Sequence, residues 1–427
     1  MSEIYVEGKG KFDFKTEKIA SDKSISHRCA IFSLLSDKPS TIKNYLEAED
    51  TLCTLSITQS LGAEIKRDGE TLIITPPSKL KEPATILDCG NAGTAIRLLM
   101  GFLSAIDGFF VLHGDKYLAS RPMRRVATPL RDIGAKIDGR DDGNLAPISV
   151  RGGELEPFNY NSPIASAQVK SALILAGLRG KGISTFTEPQ LSRDHTEKML
   201  HAMGVDIKSE GTKVTLTPTK KPLKPLNITV PNDPSSGFFF ALAAAITPGS
   251  KITLENMLLN PTRIESYKIL AKMGTKIEFI ERNSMYDSVG DIVVEYAPLK
   301  AVTVEDNIAW LIDELPALSI AFACAQGKSI VKNAKELRVK ESDRISTVVE
   351  NLKKCAIEVE EFDDGYAVFG GILQSATVDS YGDHRIAMSF VIAGLRAPMT
   401  VLDTDCIETS FPNFIELLSN IGNITIK

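Results

Sequence analysis

The segment Asp22–Arg28, DKSISHR, sets an ammonium, a hydroxyl and a guanidinium (Lys23, Ser24 and Arg28) close together at a helix start. That set suits a phosphorylated ligand, since lysine supplies a point charge and arginine a planar fork of donors. An N-cap serine flanked by basic side chains that snorkel to solvent is the plainer alternative. In Cys89–Arg97, CGNAGTAIR, Gly93 would let backbone approach a ligand, with Arg97 one turn on. Ala165–Ala172, ASAQVKSA, carries Gln168 and Lys170, which alone read as ordinary surface positions. In Arg338–Arg344, RVKESDR, Glu341 sits among Lys340 and Arg344, which would keep it ionised or tune it as an acid–base catalyst requires. A salt-bridged face is the other reading of the same run. Asp313 opens an otherwise apolar helix, as cap or as general base, and Asp383-His384-Arg385 precedes another.

These segments sit at recurring places. A phrase of the form apolar–Gly–Ala-like–polar–Ile appears as LGAEI, IGAKI, MGVDI and MGTKI and, decayed, as CAIEV and IGNIT. Its markers, Gly62, Gly134, Gly204, Gly274, Ala356 and Gly422, recur about every 70 residues, a period that signals a repeated supersecondary unit. A glycine just past a helix supplies the left-handed residue that ends it, so each marker should close a helix and open a strand. Apolar residues three to four apart before the marker (Ile264, Tyr267, Leu270, Met273) predict an amphipathic helix. Polar turns such as Arg67-Asp68-Gly69 and Ser209-Glu210-Gly211 predict two short strands after it. First helices are expected to start at Ser24, Thr94, Ser166, Ser235, Glu314 and Asp383. Second helices are expected to start at Asp50, Arg121, Arg193, Arg263, Arg344 and Thr409. Four of these last six are arginines, which the helix dipole disfavours at an N-terminus, so something anionic should sit beside them.

At roughly 100–200 residues per domain, the length implies about two to four domains or two large lobes. The 427 residues are 43% hydrophobic and 24% charged with a net charge of −5, which excludes a disordered chain and a basic nucleic-acid arm. The longest apolar run, Phe238 to Ile246, falls short of the roughly 20 residues a membrane span needs, and the N-terminus has no signal-peptide core. A cytoplasmic protein is expected. Six cysteines without a CxxC and five histidines without HExxH give no metal or disulfide signal, so no cofactor and no metal are expected.

In combination DKSISHR, GNAGTAIR, SAQVKSA, SRDHTE, RVKESDR and GDHRIAMS resemble the signatures of the enolpyruvyl transferase family, and the resemblance spans the whole chain. It implies a two-lobed inside-out α/β barrel built from six βαβαββ repeats, three per lobe, with helices inside, strands outside and the active site in the cleft between the lobes. The N-terminal strand would join the C-terminal repeats, giving one lobe of residues 1–20 and 232–427 and another of 21–231. The implied reaction moves the enolpyruvyl group of phosphoenolpyruvate to the 5-hydroxyl of shikimate 3-phosphate and releases phosphate, on the shikimate pathway to chorismate and aromatic amino acids. By the same resemblance Lys23, Ser24, Arg28, Ser166, Gln168, Arg193, Asp313 and Lys340 match contacts to shikimate 3-phosphate. Lys23, Gly93, Arg121, Gln168, Arg344, His384 and Arg385 match contacts to phosphoenolpyruvate. Asp313, Glu341 and Lys23 would be the catalytic groups, Asp313 on the attacking hydroxyl and Glu341 on the methylene carbon. The partners implied are these two small molecules, with no nucleic acid and no membrane, and the protein is expected to be a monomer. The resemblance also implies inhibition by glyphosate in competition with phosphoenolpyruvate.

Some members carry lysine where Thr409 stands here, asparagine at Glu336 and serine at Ala167, so those contacts are not carried over. Two alternatives remain. A UDP-N-acetylglucosamine enolpyruvyl transferase shares the repeat but has a reactive cysteine where His113 to Pro122 has none. A non-catalytic sugar-phosphate binding protein would not need Asp313 and Glu341 together. RNA terminal-phosphate cyclases share a related fold, but a net charge of −5 does not suit a nucleic-acid face.

Overall fold

The computed structural model describes residues 2–282 and 286–427. Its helices are of two kinds. Pro234–Ile246, GFFFALAAAI through most of its length, is almost wholly apolar, as is Leu315–Ala323, and both are buried at every position, as is His384–Ala393. A helix without a polar face is stable in water only when other elements cover it on all sides. Lys23–Ser33, Gly93–Ser104 and Ala167–Gly177 are buried along nearly their whole length too. The second helices, Glu49–Ser60, Arg124–Asp132, His195–Ala202, Glu265–Lys272 and Arg344–Lys354, each leave residues exposed and bury the rest.

Strands form the outer layer. Among the described residues there are six four-stranded sheets, and all follow one pattern: a parallel pair, then two antiparallel pairings. Burial alternates along strands such as Thr71–Thr75 and Lys213–Leu216, so one face packs on helices and the other meets solvent. No helix of the described residues is long and apolar enough to cross a membrane.

Contacts between Cα atoms divide the chain into two compact units, Met1–Ala20 with Pro231–Lys427, and Ser21–Val230. Each holds three sheets. In the first, Glu3–Gly8 pairs with both Met399–Leu402 and Gly422–Ile426, and Asp13–Thr16 runs parallel to Lys251–Leu258. In the second, Asn227–Thr229 lies parallel to Ser40–Lys43 and completes the first repeat's sheet with a strand from the end of the third. The order of elements within each repeat follows the sequence pattern, but sheet membership is shifted by a strand at the places where the chain passes between units.

The markers behave as backbone sterics requires. Gly62, Gly134, Gly204 and Gly274 have φ of 106°, 98°, 96° and 115°, each just past a helix. Ala356 takes the same left-handed conformation with φ 59°, at a strain of about 1–2 kcal/mol that a glycine would not carry. Gly422 departs from the pattern: it opens the strand Gly422–Ile426, opposite Gly8, because the preceding helix, Phe414–Leu418, ends earlier. The second-helix starts also need correction. Only Arg344 begins its helix; Arg121 follows the short 3-10 turn Leu118–Ser120, Arg193 and Arg263 precede their helices, and Thr409 ends the 3-10 segment Thr404–Thr409.

Candidate active site

In the Ser21–Val230 unit the predicted residues gather at the N-terminal ends of its three inner helices. Asp22 caps the first by accepting from Ile25 N at 2.8 Å, which leaves Lys23 as its first helical residue. Lys23 Nζ lies 2.5 Å from Asp50 Oδ2 at the start of Glu49–Ser60. Ser24 gives its carbonyl to Arg28 Nη1 at 2.9 Å. Arg28 is buried and also donates Nε to Thr196 Oγ1 at 2.8 Å and Nη2 to Ser171 Oγ at 2.9 Å. It therefore joins three helices. His27 points the other way, onto Thr54 Oγ1 at 2.8 Å; burial, with Lys23 and Arg28 adding to it, pushes its pKa well below the ordinary histidine value.

The second inner helix begins at Gly93, and a side chain there would meet the guanidinium of Arg121, whose Nη1 lies 2.9 Å from where a Cβ would be. The missing side chain thus lets the Arg121 guanidinium lie against the helix start. Arg97, buried one turn on, donates to Gln168 Oε1 at 2.6 Å and to Pro122 O at 3.1 Å, beside Arg121. Gln168 Nε2 donates in turn to Thr94 Oγ1 at 3.1 Å. Ser166 caps the third inner helix through Val169 N at 3.5 Å, and half-buried Arg193 follows Ser192 in the stretch leading to His195–Ala202. Lys170 is no surface residue: its side chain is wholly buried between Glu188 and Glu197, each at 2.8 Å.

The other unit centres on Arg344, only 2% exposed at its side chain. Its Nε donates to Asp383 Oδ2 at 2.8 Å, Nη2 to Glu341 Oε2 at 2.8 Å, and Nη1 approaches Asp313 Oδ1 at 3.4 Å. One guanidinium thus gathers both predicted acid–base carboxylates and the cap of the His384–Ala393 helix, since Asp383 Oδ1 also accepts from Arg385 N at 2.8 Å. Burial opposes the charge on Arg344, but Asp383, Glu341 and Asp313 together raise its pKa. The anion that the cation-at-a-helix-start pattern demanded is, for this residue, supplied by the protein.

Arg263 is a second such case: it pairs with Asp233 at 2.6 Å and Ser235 Oγ at 2.9 Å, inside the fold. Lys340 stands 3.5 Å from Glu336 Oε1, and burial lowers its pKa against the pull of Glu336 and Asp313. His384 and Arg385 open their helix nearly buried; Arg385 Nη1 donates to Ser235 O at 3.3 Å and its guanidinium lies 5.8 Å from the Phe239 ring. Its buried Nε has no hydrogen-bond acceptor among the described residues. Thr409 spends its hydroxyl on Cys406 O at 2.7 Å.

Sequence reasoning left Asp383, Thr196, Ser171, Glu188 and Glu197 out of the site. For Asp383 a signal was present, because an acidic residue directly before His-Arg at a helix mouth can cap the helix and hold an arginine at once. The others carry no local signal, since their partners are remote in sequence.

The geometry can hold anionic groups and move protons: each unit presents cations at helix N-termini, and one adds two carboxylates on a shared arginine. The sequence model of the family described as EPSP synthase (3-phosphoshikimate 1-carboxyvinyltransferase) matches residues 14–418. A curated protein of Nitratiruptor sp. named 3-phosphoshikimate 1-carboxyvinyltransferase is 60% identical over 429 residues, covering 99% of each chain. One of the same name from Wolinella succinogenes is 58% identical, covering 97% of this chain and 95% of its own. Among solved structures, EPSP synthase from Acinetobacter baumannii superposes with TM-score 0.89 at 39% identity over 100% of both chains. The enolpyruvyl transferase NikO from Streptomyces tendae has the same fold at TM-score 0.77 and 15% identity, over 100% of this chain and 99% of its own.

Proposed function

The chain belongs to the EPSP synthase family, and on that premise we propose that it transfers the enolpyruvyl group of phosphoenolpyruvate to the 5-hydroxyl of shikimate 3-phosphate and releases phosphate. It is an enzyme, a transferase of the shikimate pathway acting on small molecules. The observation that carries the chemistry is the pair of carboxylates on Arg344.

In this reading Asp313 takes the proton of the 5-hydroxyl as its oxygen attacks C2 of phosphoenolpyruvate, while Glu341 gives a proton to C3. In the second half Glu341 recovers a proton from the new methyl group, the C2–C3 double bond re-forms as the C2–O bond to phosphate breaks, and phosphate leaves with the proton that Asp313 held. Arg344 supports both roles by keeping each carboxylate in one place, which is where most of the benefit of a bound acid–base group lies. Lys23, Ser24, Arg28, Ser166, Gln168, Arg193 and Lys340 take shikimate 3-phosphate together with Asp313. Lys23, Gly93, Arg121, Gln168, Arg344, His384 and Arg385 take phosphoenolpyruvate. Two like charges 4 Å apart repel by about 4 kcal/mol at an effective dielectric of 20, so two substrates that each carry phosphate and carboxylate need this many cations. The unsatisfied buried Nε of Arg385 supports its place among them, because a buried donor without an acceptor costs about 1–3 kcal/mol. The reading extends to a monomer working in the cytoplasm.

The test is phosphate release measured with both substrates and with each alone. Release that needs both supports the transfer; binding of both without release would leave a sugar-phosphate binding protein. Glyphosate sharpens the phosphoenolpyruvate assignment, and it is expected to inhibit in competition with that substrate. Gly93→Ala places a methyl against the Arg121 guanidinium, which must shift by a few tenths of an ångström. A ligand longer than phosphoenolpyruvate should tolerate that shift less, so the glyphosate inhibition constant should rise at least about tenfold more than the KM for phosphoenolpyruvate. Steady-state inhibition kinetics decide it: equal shifts, or a wild type indifferent to millimolar glyphosate, would remove Gly93 from the site.

A further inference from the structure

We infer that Lys170 is a positioning residue for recognition of the acceptor: it fixes the backbone of Ser192 and through it the side chain of Arg193. The inference rests on the reading that Arg193 touches shikimate 3-phosphate. Lys170 lies on an inner helix with its side chain 0% exposed, where lysine is rarely found unless fully paired. Its ammonium donates to Glu188 Oε1 at 2.8 Å and to Ser192 O at 3.3 Å, and forms an ion pair with Glu197 Oε1 at 2.8 Å. Glu188 Oε1 also accepts from Ser192 N at 2.8 Å. Both polar groups of the Ser192 backbone are therefore held, its carbonyl by the ammonium and its N–H by the carboxylate paired with that ammonium.

Arg193 is the next residue. It belongs to no helix or strand, falling between Ser184–Thr187 and His195–Ala202, so no regular hydrogen-bond ladder sets its direction. The pinned Ser192 does this instead. A second cross-link runs beside the first: Ser171, next to Lys170, meets Thr196, next to Glu197, with their hydroxyl oxygens 2.7 Å apart, and Arg28 donates to both. The Lys170–Glu197 pair and the hydroxyls join the same two helices, so the register that places Arg193 is also the one that places Arg28. A buried pair of this kind is often no more stabilising than apolar residues of equal volume, which leaves placement as the property it confers.

The experiment is steady-state kinetics on the full chain with each substrate varied. Lys170→Met is expected to raise the KM for shikimate 3-phosphate about 10- to 100-fold, the scale of a misplaced charge-assisted hydrogen bond, while the KM for phosphoenolpyruvate stays within about threefold. Lys170→Met leaves two buried carboxylates unpaired and so endangers the fold. The triple variant Lys170→Met, Glu188→Gln, Glu197→Gln removes those charges, keeps an acceptor for Ser192 N–H, and is expected to show the same selective loss. Arg193→Gln is the reference. If it raises the KM for shikimate 3-phosphate and the folded Lys170 variants do not, or if they raise both KM values alike, the positioning role is overturned. If Arg193→Gln leaves that KM unchanged, the underlying assignment of Arg193 falls, and the inference with it.

Discussion

Glu341→Gln and Asp313→Asn are each expected to lower kcat by more than about 100-fold, the usual contribution of a general acid or base being 10²–10⁴. The substitutions isolate the proton. A glutamine at 341 still offers an oxygen to Arg344 Nη2, and an asparagine at 313 still offers one to Nη1, so both contacts of the guanidinium survive. What is lost is the capacity to take up and return a proton. Substrate affinity and thermal unfolding should therefore stay close to wild type while turnover collapses. Calorimetry settles the matter: a Glu341→Gln protein that binds shikimate 3-phosphate poorly yet turns over normally would assign Glu341 to binding and remove it from the proton transfers.

Removal of Arg344 should have an effect of a different kind. Asp383 is 0% exposed at its side chain and its Oδ2 receives the 2.8 Å bond from Arg344 Nε, so Arg344→Met leaves a buried carboxylate without its cation. Breaking one side of a buried pair typically costs about 3–5 kcal/mol, whereas replacing both sides is often neutral. The single variant should thus be strongly destabilised in denaturant unfolding. Arg344→Met combined with Asp383→Asn should recover most of that loss, because asparagine caps a helix about as well as aspartate and can still accept from Arg385 N. Activity should not recover with it, since Asp313 and Glu341 have lost the guanidinium that held them. A double variant that regained turnover along with stability would show that Arg344 matters to folding alone.

The signature segments and the repeat were legible in the sequence for a local reason. A left-handed residue after a helix is a steric requirement of a single position, and the observed φ values at Gly62, Gly134, Gly204 and Gly274 bear it out. The mouths of the first helices could be located to within a residue because N-caps use few residue types, and Asp22, Ser166, Asp233 and Asp383 all serve as such caps. Gly422 shows the limit: in the decayed phrase IGNIT the glycine opens a strand and has no left-handed backbone.

Charge was where reading failed, because a charged residue in a sequence does not name its partner. Lys170 looked like surface and is buried on two glutamates, and Arg263 looked like an anion receptor and pairs with Asp233. All these partners lie many residues away, where periodicity and capping rules carry no information. By itself, then, the sequence determined the repeated elements, the starts of the first helices and the residue types at their mouths, all properties of short windows governed by backbone sterics and hydrophobic periodicity. Tertiary structure alone decided which strand completes which sheet, as with Glu3–Gly8 between Met399–Leu402 and Gly422–Ile426, and which cations are already neutralised inside the protein. Those outcomes depend on what packing brings within a few ångströms, and only the folded chain fixes that.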